Sequence, residues 1–141
     1  TDPWTVMVDE DEFIQSLTNL LRNALQATKD KALHQTTRNY RGSVIVTVHS
    51  REQKILLSIK DNGIGIEEQH REKLFETQFS TKSKEEGTGL GLNISRRFIR
   101  SFGGDIYLHH SHINEGTEFI IELPLAQEDQ ENGTDKERIP A

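Results

Sequence analysis

Two alternating runs, Val44-Ile45-Val46-Thr47-Val48-His49 and Ile55-Leu56-Leu57-Ser58-Ile59, stand a few residues apart in the middle of the chain. Successive side chains of a strand point to opposite faces, so each run reads as a strand. Arg51-Glu52-Gln53 between them makes the pair a hairpin that is partly apolar on both faces. The centre of the chain is thereby committed to a β-sheet.

Further strands are expected at residues 105–110, with Ile106 and Leu108 inward, and at 117–123, with Phe119, Ile121 and Leu123 inward. Asn114-Glu115-Gly116 is the turn that joins them, and Pro124 ends the fold. Residues 3–8, carrying Trp4, Val6 and Val8, read as one more short strand. After it, Asp9 caps a helix that reaches about Leu33, with Phe13, Leu17, Leu20, Leu21 and Ala24 on one apolar stripe. A short helix is expected over 67–75. Another is expected over 89–102, with Ile94, Phe98 and Phe102 at a spacing of four and Gly103-Gly104 as its stop. Residues 34–42 and 80–87 read as loops, the second glycine-flanked and mobile. The sum is an α+β fold: a two-layer sandwich of about five strands with about three helices on one face.

With 141 residues there is one domain, expected over 1–125. Residues 126–141 hold five acidic and two basic side chains and almost nothing apolar, so a disordered tail is expected. No apolar run approaches the roughly 20 residues that cross a bilayer. Without an initiating Met or a signal peptide, the chain is expected to be a piece of a longer protein, one that a membrane anchor elsewhere would suit. Cysteine is absent, which excludes disulfides and thiolate metal sites and agrees with a reducing compartment. The net charge of −6 argues against bulk nucleic-acid binding, so a phosphate-bearing ligand would need a local cationic site.

Four constellations can carry chemistry. Asn19 and Asn23 lie four apart on the first helix, which puts both carboxamides on one side. An amide oxygen is a neutral, hard ligand suited to a Mg²⁺ shell otherwise made of phosphate oxygens and water. Taken alone, two amides on a solvated helix face are the simpler reading. Asp61-Asn62-Gly63-Ile64-Gly65 follows a strand directly; its carboxylate can accept from an exocyclic amine, and its glycines let backbone approach a flat ring. An ordinary turn uses the same residues. Phe75 and Phe79 precede Ser80-Thr81-Lys82, whose ammonium could reach a terminal phosphate, although core phenylalanines also recur at this spacing. Gly87-Thr88-Gly89-Leu90-Gly91-Leu92 opens a helix and offers free N–H groups to a phosphate. It lacks the GK[ST] ending of a Walker loop and does not fit the dinucleotide fingerprint; a glycine-rich loop with no ligand remains open.

In this order, the four resemble the N box, first glycine box, F box and second glycine box of sensor histidine kinase catalytic domains. That group lies in the superfamily that also holds gyrase, Hsp90 chaperones and MutL. The resemblance covers about residues 4–124 and includes Gly116-Thr117-Glu118-Phe119, similar to the family's closing strand. It implies the Bergerat ATP-binding fold with a mixed sheet, and ATP and Mg²⁺ as ligands. Asn23 would ligate Mg²⁺, and Asn19 would support the metal and phosphate site. Asp61 would take the adenine amino group, with Gly63 and Gly65 shaping that wall and Thr117 nearby through water. Lys82 and Gly87, Gly89, Leu90, Gly91 and Leu92 would form a lid over the phosphates, anchored by Phe79; Asn19 and Lys82 are the expected catalytic residues.

Two departures bear on function. The gyrase and Hsp90 branches place a water-activating Glu four residues before the metal-binding Asn. Asn19 stands there instead and cannot act as a general base, so ATP hydrolysis should be slow. Thr77-Gln78 occupies a stretch where family members often carry proline, which bears on lid geometry. None of His34, His49, His70, His109, His110 and His112 sits in a motif resembling the phosphoacceptor box; all read as surface or strand-face side chains. The resemblance thus implies a cytoplasmic, monomeric domain. It would phosphorylate a histidine on a separate dimerisation domain of a homodimeric parent, which would serve a response regulator. An anti-sigma-type serine kinase and a nucleotide-sensing module without transfer activity share the fold and stay open.

Overall fold

A computed structural model describes residues 4–34, 39–76 and 91–126. Helix α1 (Glu10–His34) begins where the cap places it: Asp9 Oδ1 accepts the Glu12 amide at 3.0 Å. Glu10, Asp11 and Glu12 put negative charge at the positive end of the helix dipole. Strands β1 (Val44–Arg51) and β2 (Lys54–Asp61) follow as the hairpin. Glu52 and Gln53 turn it with φ of 53° and 67°, a left-handed pair whose twist matches that of the strands. The short helix α2 (Glu68–Arg71) gives way to turns over 72–75, short of the full 67–75 expected. Helix α3 (Gly91–Ser101) stops at Gly103, whose φ of +88° lets Gly104 N–H donate back to Ile99 O at 3.1 Å. Strands β3 (Asp105–His112) and β4 (Gly116–Pro124) complete the described chain.

The sheet order is β1-β2-β4-β3, with every pairing antiparallel. Register puts Leu57 opposite Ile121, Ile59 opposite Phe119 and Ile106 beside Ile121, so one face is continuously apolar. Leu20 and Ala24 of α1 and Ile99 of α3 close over that face, and Leu74 joins them after α2. Ile99, Ile106 and Ile121 are wholly buried. An α+β layer of helices on one face of a sheet is therefore present.

Three expectations are corrected. Among the described residues the sheet has four strands and is wholly antiparallel, not five-stranded and mixed. Residues 4–9 form no strand: Val6 and Val8 alternate because they pack on the core, and a backbone bond from Ala126 N–H to Thr5 O (2.7 Å) helps tie the segment to the rest. The stripe of α3 is also rotated. Leu92, Ser95, Ile99 and Phe102 face the core, while Ile94 and Phe98 are half-buried outside it. A serine sits on that stripe because Ser95 and Ser16 are the wholly buried small residues where α3 meets α1, with Ser16 Oγ donating to Ser95 O at 3.4 Å. The expected loop over 80–87 lies outside the described residues, as does the tail from residue 127 onward.

Candidate functional site

Asp61 ends β2 opposite Thr117, which begins the inward-facing positions of β4. Its side chain is buried, and Oδ1 accepts the Gly63 amide at 2.8 Å. Burial pushes the carboxyl above its ordinary value; hydrogen bonds from the Gly63 and Thr117 backbone N–H groups pull the other way and do not cancel it. Thr117 Oγ1 is itself buried, 2.9 Å from Ser111 Oγ, which accepts the Ile66 amide at 3.0 Å. Ser111 thus ties the loop after Asp61 to both β3 and β4. Arg71 adds a second tie, donating to Ile66 O (3.1 Å) and Ser111 O (2.7 Å).

The glycines of this loop answer to the fold. A Cβ on Gly63 would lie 2.5 Å from the Ala27 carbonyl carbon of α1, and Ile64 N–H donates to Ala27 O at 3.1 Å. Gly65, with φ of +79°, leaves no room for a Cβ against the His112 carbonyl. Their missing side chains are therefore explained by packing against α1 and β3.

The other end of the site is also built on α1. Asn19 Nδ2 donates to Ser95 Oγ at 3.0 Å and to Gly91 O at 3.4 Å, so the first turn of α3, with Gly91 and Leu92, is strapped to it. Asn23 lies one turn further along α1, half-buried like Asn19. From Asn19 to Ala27 is roughly 12 Å along the helix axis. One rigid helix thus joins a buried carboxylate at one end to a glycine-opened helix N-terminus at the other. Among the described residues no group of three or more His, Cys, Asp or Glu side chains could hold a metal. Phe79, Lys82, Gly87, Gly89 and Leu90 lie outside the described residues.

Beside α3, Asp105 accepts from Arg96 Nε and Arg100 Nε, each at 2.9 Å. Burial raises its carboxyl, but these bonds and the Ile106 amide outweigh that and hold it at about 2. The Arg96 guanidinium also lies 4.3 Å over the Phe75 ring, which meets Phe119 edge-on at 6.3 Å. Ser95, Ser111, Arg71 and Arg96 escaped the sequence reading. Serine carries no periodic signal, and an arginine on an amphipathic helix looks solvated until its partners are known.

A family model described as histidine kinase-, DNA gyrase B-, and HSP90-like ATPase matches residues 8–127. The chain belongs to this ATPase family. It is 37% identical over 123 residues to the adaptive-response sensory kinase SasA of Gloeothece citriformis, covering 85% of this chain and 28% of that protein. It is 33% identical over 132 residues to sporulation kinase E of Bacillus subtilis, covering 93% of this chain and 16% of the relative. The ATPase domain therefore spans less than a third of the length of these relatives. Among solved structures, the catalytic domain of histidine kinase ThkA aligns with a TM-score of 0.66 at 35% identity, covering 85% of this chain and 70% of that one. Full-length ShkA in complex with AMPPNP aligns with a TM-score of 0.69 at 28% identity, covering 87% of this chain and 23% of that one. The chain is an ATP-binding catalytic domain of the sensor histidine kinase type. Among the described residues no helix is long and apolar enough to cross a membrane.

Proposed function

We propose that this domain binds ATP along α1, with Mg²⁺, and presents the γ-phosphate to a histidine on a separate dimerisation domain of the same parent protein. The observation that carries the reading is that the middle of α1 holds both the loop of the buried Asp61 carboxylate, through Ala27, and the glycine-opened start of α3, through Asn19. ShkA, which shares the fold, was solved with an ATP analogue bound, and this supports the same ligand here.

In this reading Asp61 accepts the adenine amino group, Gly63 and Gly65 form the wall beside the ring, and Thr117 contributes through water. Asn23 offers an amide oxygen to Mg²⁺, which suits an ion that keeps most of its shell as water and phosphate oxygen. Asn19 supports that site and holds α3 in place. Gly87, Gly89, Leu90, Gly91 and Leu92 form the lid with Lys82, and Phe79 anchors it. Mg²⁺, when bound, supplies charge neutralisation on the phosphates. The chain's own part is to orient the triphosphate for in-line attack by an imidazole nitrogen, which asks for positioning more than for acid–base chemistry. Asn19 cannot deprotonate water, so the γ-phosphate is kept for the side chain that receives it. We place the domain in the cytoplasm, monomeric by itself, within a homodimeric parent that feeds a response regulator and does not engage nucleic acid. Residues 1–125 act as the domain and 126–141 as its tail.

Calorimetric titration of ATP with and without Mg²⁺, into the domain and its Asp61→Ala and Asn23→Ala variants, tests the binding half. Loss of binding in the first and loss of the Mg²⁺ dependence in the second are expected. A dimerisation domain supplied in trans tests transfer. Acid-labile phosphohistidine supports the proposal, acid-stable phosphoserine favours the serine-kinase alternative, and binding without label favours a nucleotide-sensing module.

A further inference from the structure

The residue next to Asp61 is held from more directions than a turn requires. Asn62 Oδ1 accepts the Ser43 amide at 2.8 Å and the Tyr40 hydroxyl at 3.2 Å, and Asn62 Nδ2 donates to Arg41 O at 2.8 Å. Its backbone N–H donates to Ser43 O at 3.3 Å. The Asn62 carbonyl accepts from Tyr40 Oη at 3.1 Å and from Lys31 Nζ, near the end of α1, at 3.4 Å. Lys31 Nζ also donates to the Asn114 carbonyl in the β3–β4 turn and stands 4.8 Å over the Tyr40 ring. Asn114 in turn donates its amide to Ile64 O at 2.8 Å.

Four segments far apart in sequence therefore converge on one ammonium and one carboxamide: the end of α1, residues 40–43, the loop after β2, and the β3–β4 turn. Asp61 is fixed in the ladder, but Gly63, whose amide donates to its Oδ1, lies beyond it in the loop that starts at Asn62, so the hold on Asn62 bears on where the carboxylate is aimed. A charge-assisted bond to a carbonyl is about twice as strong as a neutral one, and the aromatic face beneath the ammonium adds to its placement. Here the residue immediately after the buried carboxylate has its backbone N–H, its carbonyl and both side-chain polar atoms engaged.

We propose that Lys31, Tyr40 and Asn62 form a clamp that aims Asp61 at the exocyclic amine of the base, making Lys31 and Tyr40 positioning residues for recognition of an aminopurine nucleotide. The inference rests on the reading of Asp61 as the acceptor of that amine. A site built around a hydrogen bond rejects an analogue lacking the donor, and it loses that discrimination when the acceptor is misaimed.

The test compares dissociation constants for ATP and for purine riboside triphosphate, which lacks the 6-amino group, in the unaltered domain and in Lys31→Met, Lys31→Arg and Tyr40→Phe. Lys31→Met should weaken ATP about fivefold while leaving the analogue within about twofold, so the selectivity ratio falls. Tyr40→Phe keeps the ring under the ammonium and should lower the ratio less; Lys31→Arg should preserve most of it. Circular dichroism and melting confirm that each variant is folded, and Tyr40→Phe serves as the milder probe should Lys31→Met not fold. A folded variant with an unchanged ratio, or one in which both nucleotides weaken in parallel, overturns the clamp. If the unaltered domain binds ATP without preferring it to the analogue, the Asp61 reading itself fails, and that result is distinct from failure of the clamp.

Discussion

Replacing Asp61 by Asn separates what this side chain does for the fold from what it does for a ligand. The group is buried and its pKa is raised by that burial, so ionisation is penalised in the folded state. A raised folded pKa means the group's contribution to stability is fully present below its unfolded value of 3.8. It is lost as pH rises through the higher folded value. At neutral pH, then, a neutral isostere removes a burial penalty. What it surrenders is the charge-assisted strength of the bonds from the Gly63 and Thr117 N–H groups. These oppose one another, and the melting free energy should move by no more than about 1 kcal/mol. Binding has no such compensation. If the carboxylate accepts from an amine, an amide that turns its own NH₂ toward that amine loses a charged acceptor worth about 1.5–3 kcal/mol, or roughly 10- to 100-fold in affinity. Thermal unfolding and calorimetric titration of Asp61→Asn and the unaltered domain, repeated from pH 7 downward, read both quantities. The affinity advantage of the unaltered domain over the variant should begin to shrink at a pH above 3.8, as Asp61 takes up its proton, because protonation of the nucleotide's own phosphates weakens both alike. A variant that loses stability and affinity together, or one that binds ATP normally, refutes the reasoning.

Three further perturbations follow from the packing. Gly63→Ala forces a methyl to within 2.5 Å of the Ala27 carbonyl carbon and displaces the Ile64–Ala27 bond; a loss of about 2–4 kcal/mol and a melting-point drop of roughly 10 °C or more are expected by calorimetry. Asp105→Asn removes a carboxylate held at about 2, whose stabilisation is present above 3.8 and is lost as pH falls toward 2. Because the side chain is a third exposed, screening reduces this to about 1 kcal/mol at pH 7, and the acid-unfolding curves of the two proteins should merge near pH 2. Ser95→Ala takes away one of the two acceptors of Asn19 Nδ2, leaving Gly91 O, and should cost about 1 kcal/mol of stability, read as a lower urea midpoint with an unchanged slope.

Strands β2, β3 and β4 were legible because their inward residues meet one shared core: Leu57, Ile59, Ile106, Phe119 and Ile121 are all inward, whereas β1, equally alternating, packs only Val44 against it. The same signal misled at residues 4–8, where extended chain packs Val6 and Val8 without entering the ladder. Helix α3 departs in phase from its expected stripe because it meets α1 through the wholly buried Ser95, and a buried serine looks like a surface residue in any hydrophobic pattern. The site residues stood out through glycines and amides in a recognisable order. The reason Gly63 and Gly65 must be glycine lies in Ala27 and His112, which are distant in sequence.

By itself the sequence determined the local choices: the cap at Asp9, the stop at Gly103, the period of each strand and the order of the four motifs. These rest on interactions within a few residues, where stereochemistry alone decides. The tertiary structure decided that β2 pairs with β4 and places Thr117 against Asp61, that α1 carries both ends of the site, and that Lys31 and Tyr40 meet at Asn62. Such contacts follow from how the apolar faces close on one another, and no short-range pattern encodes that closure.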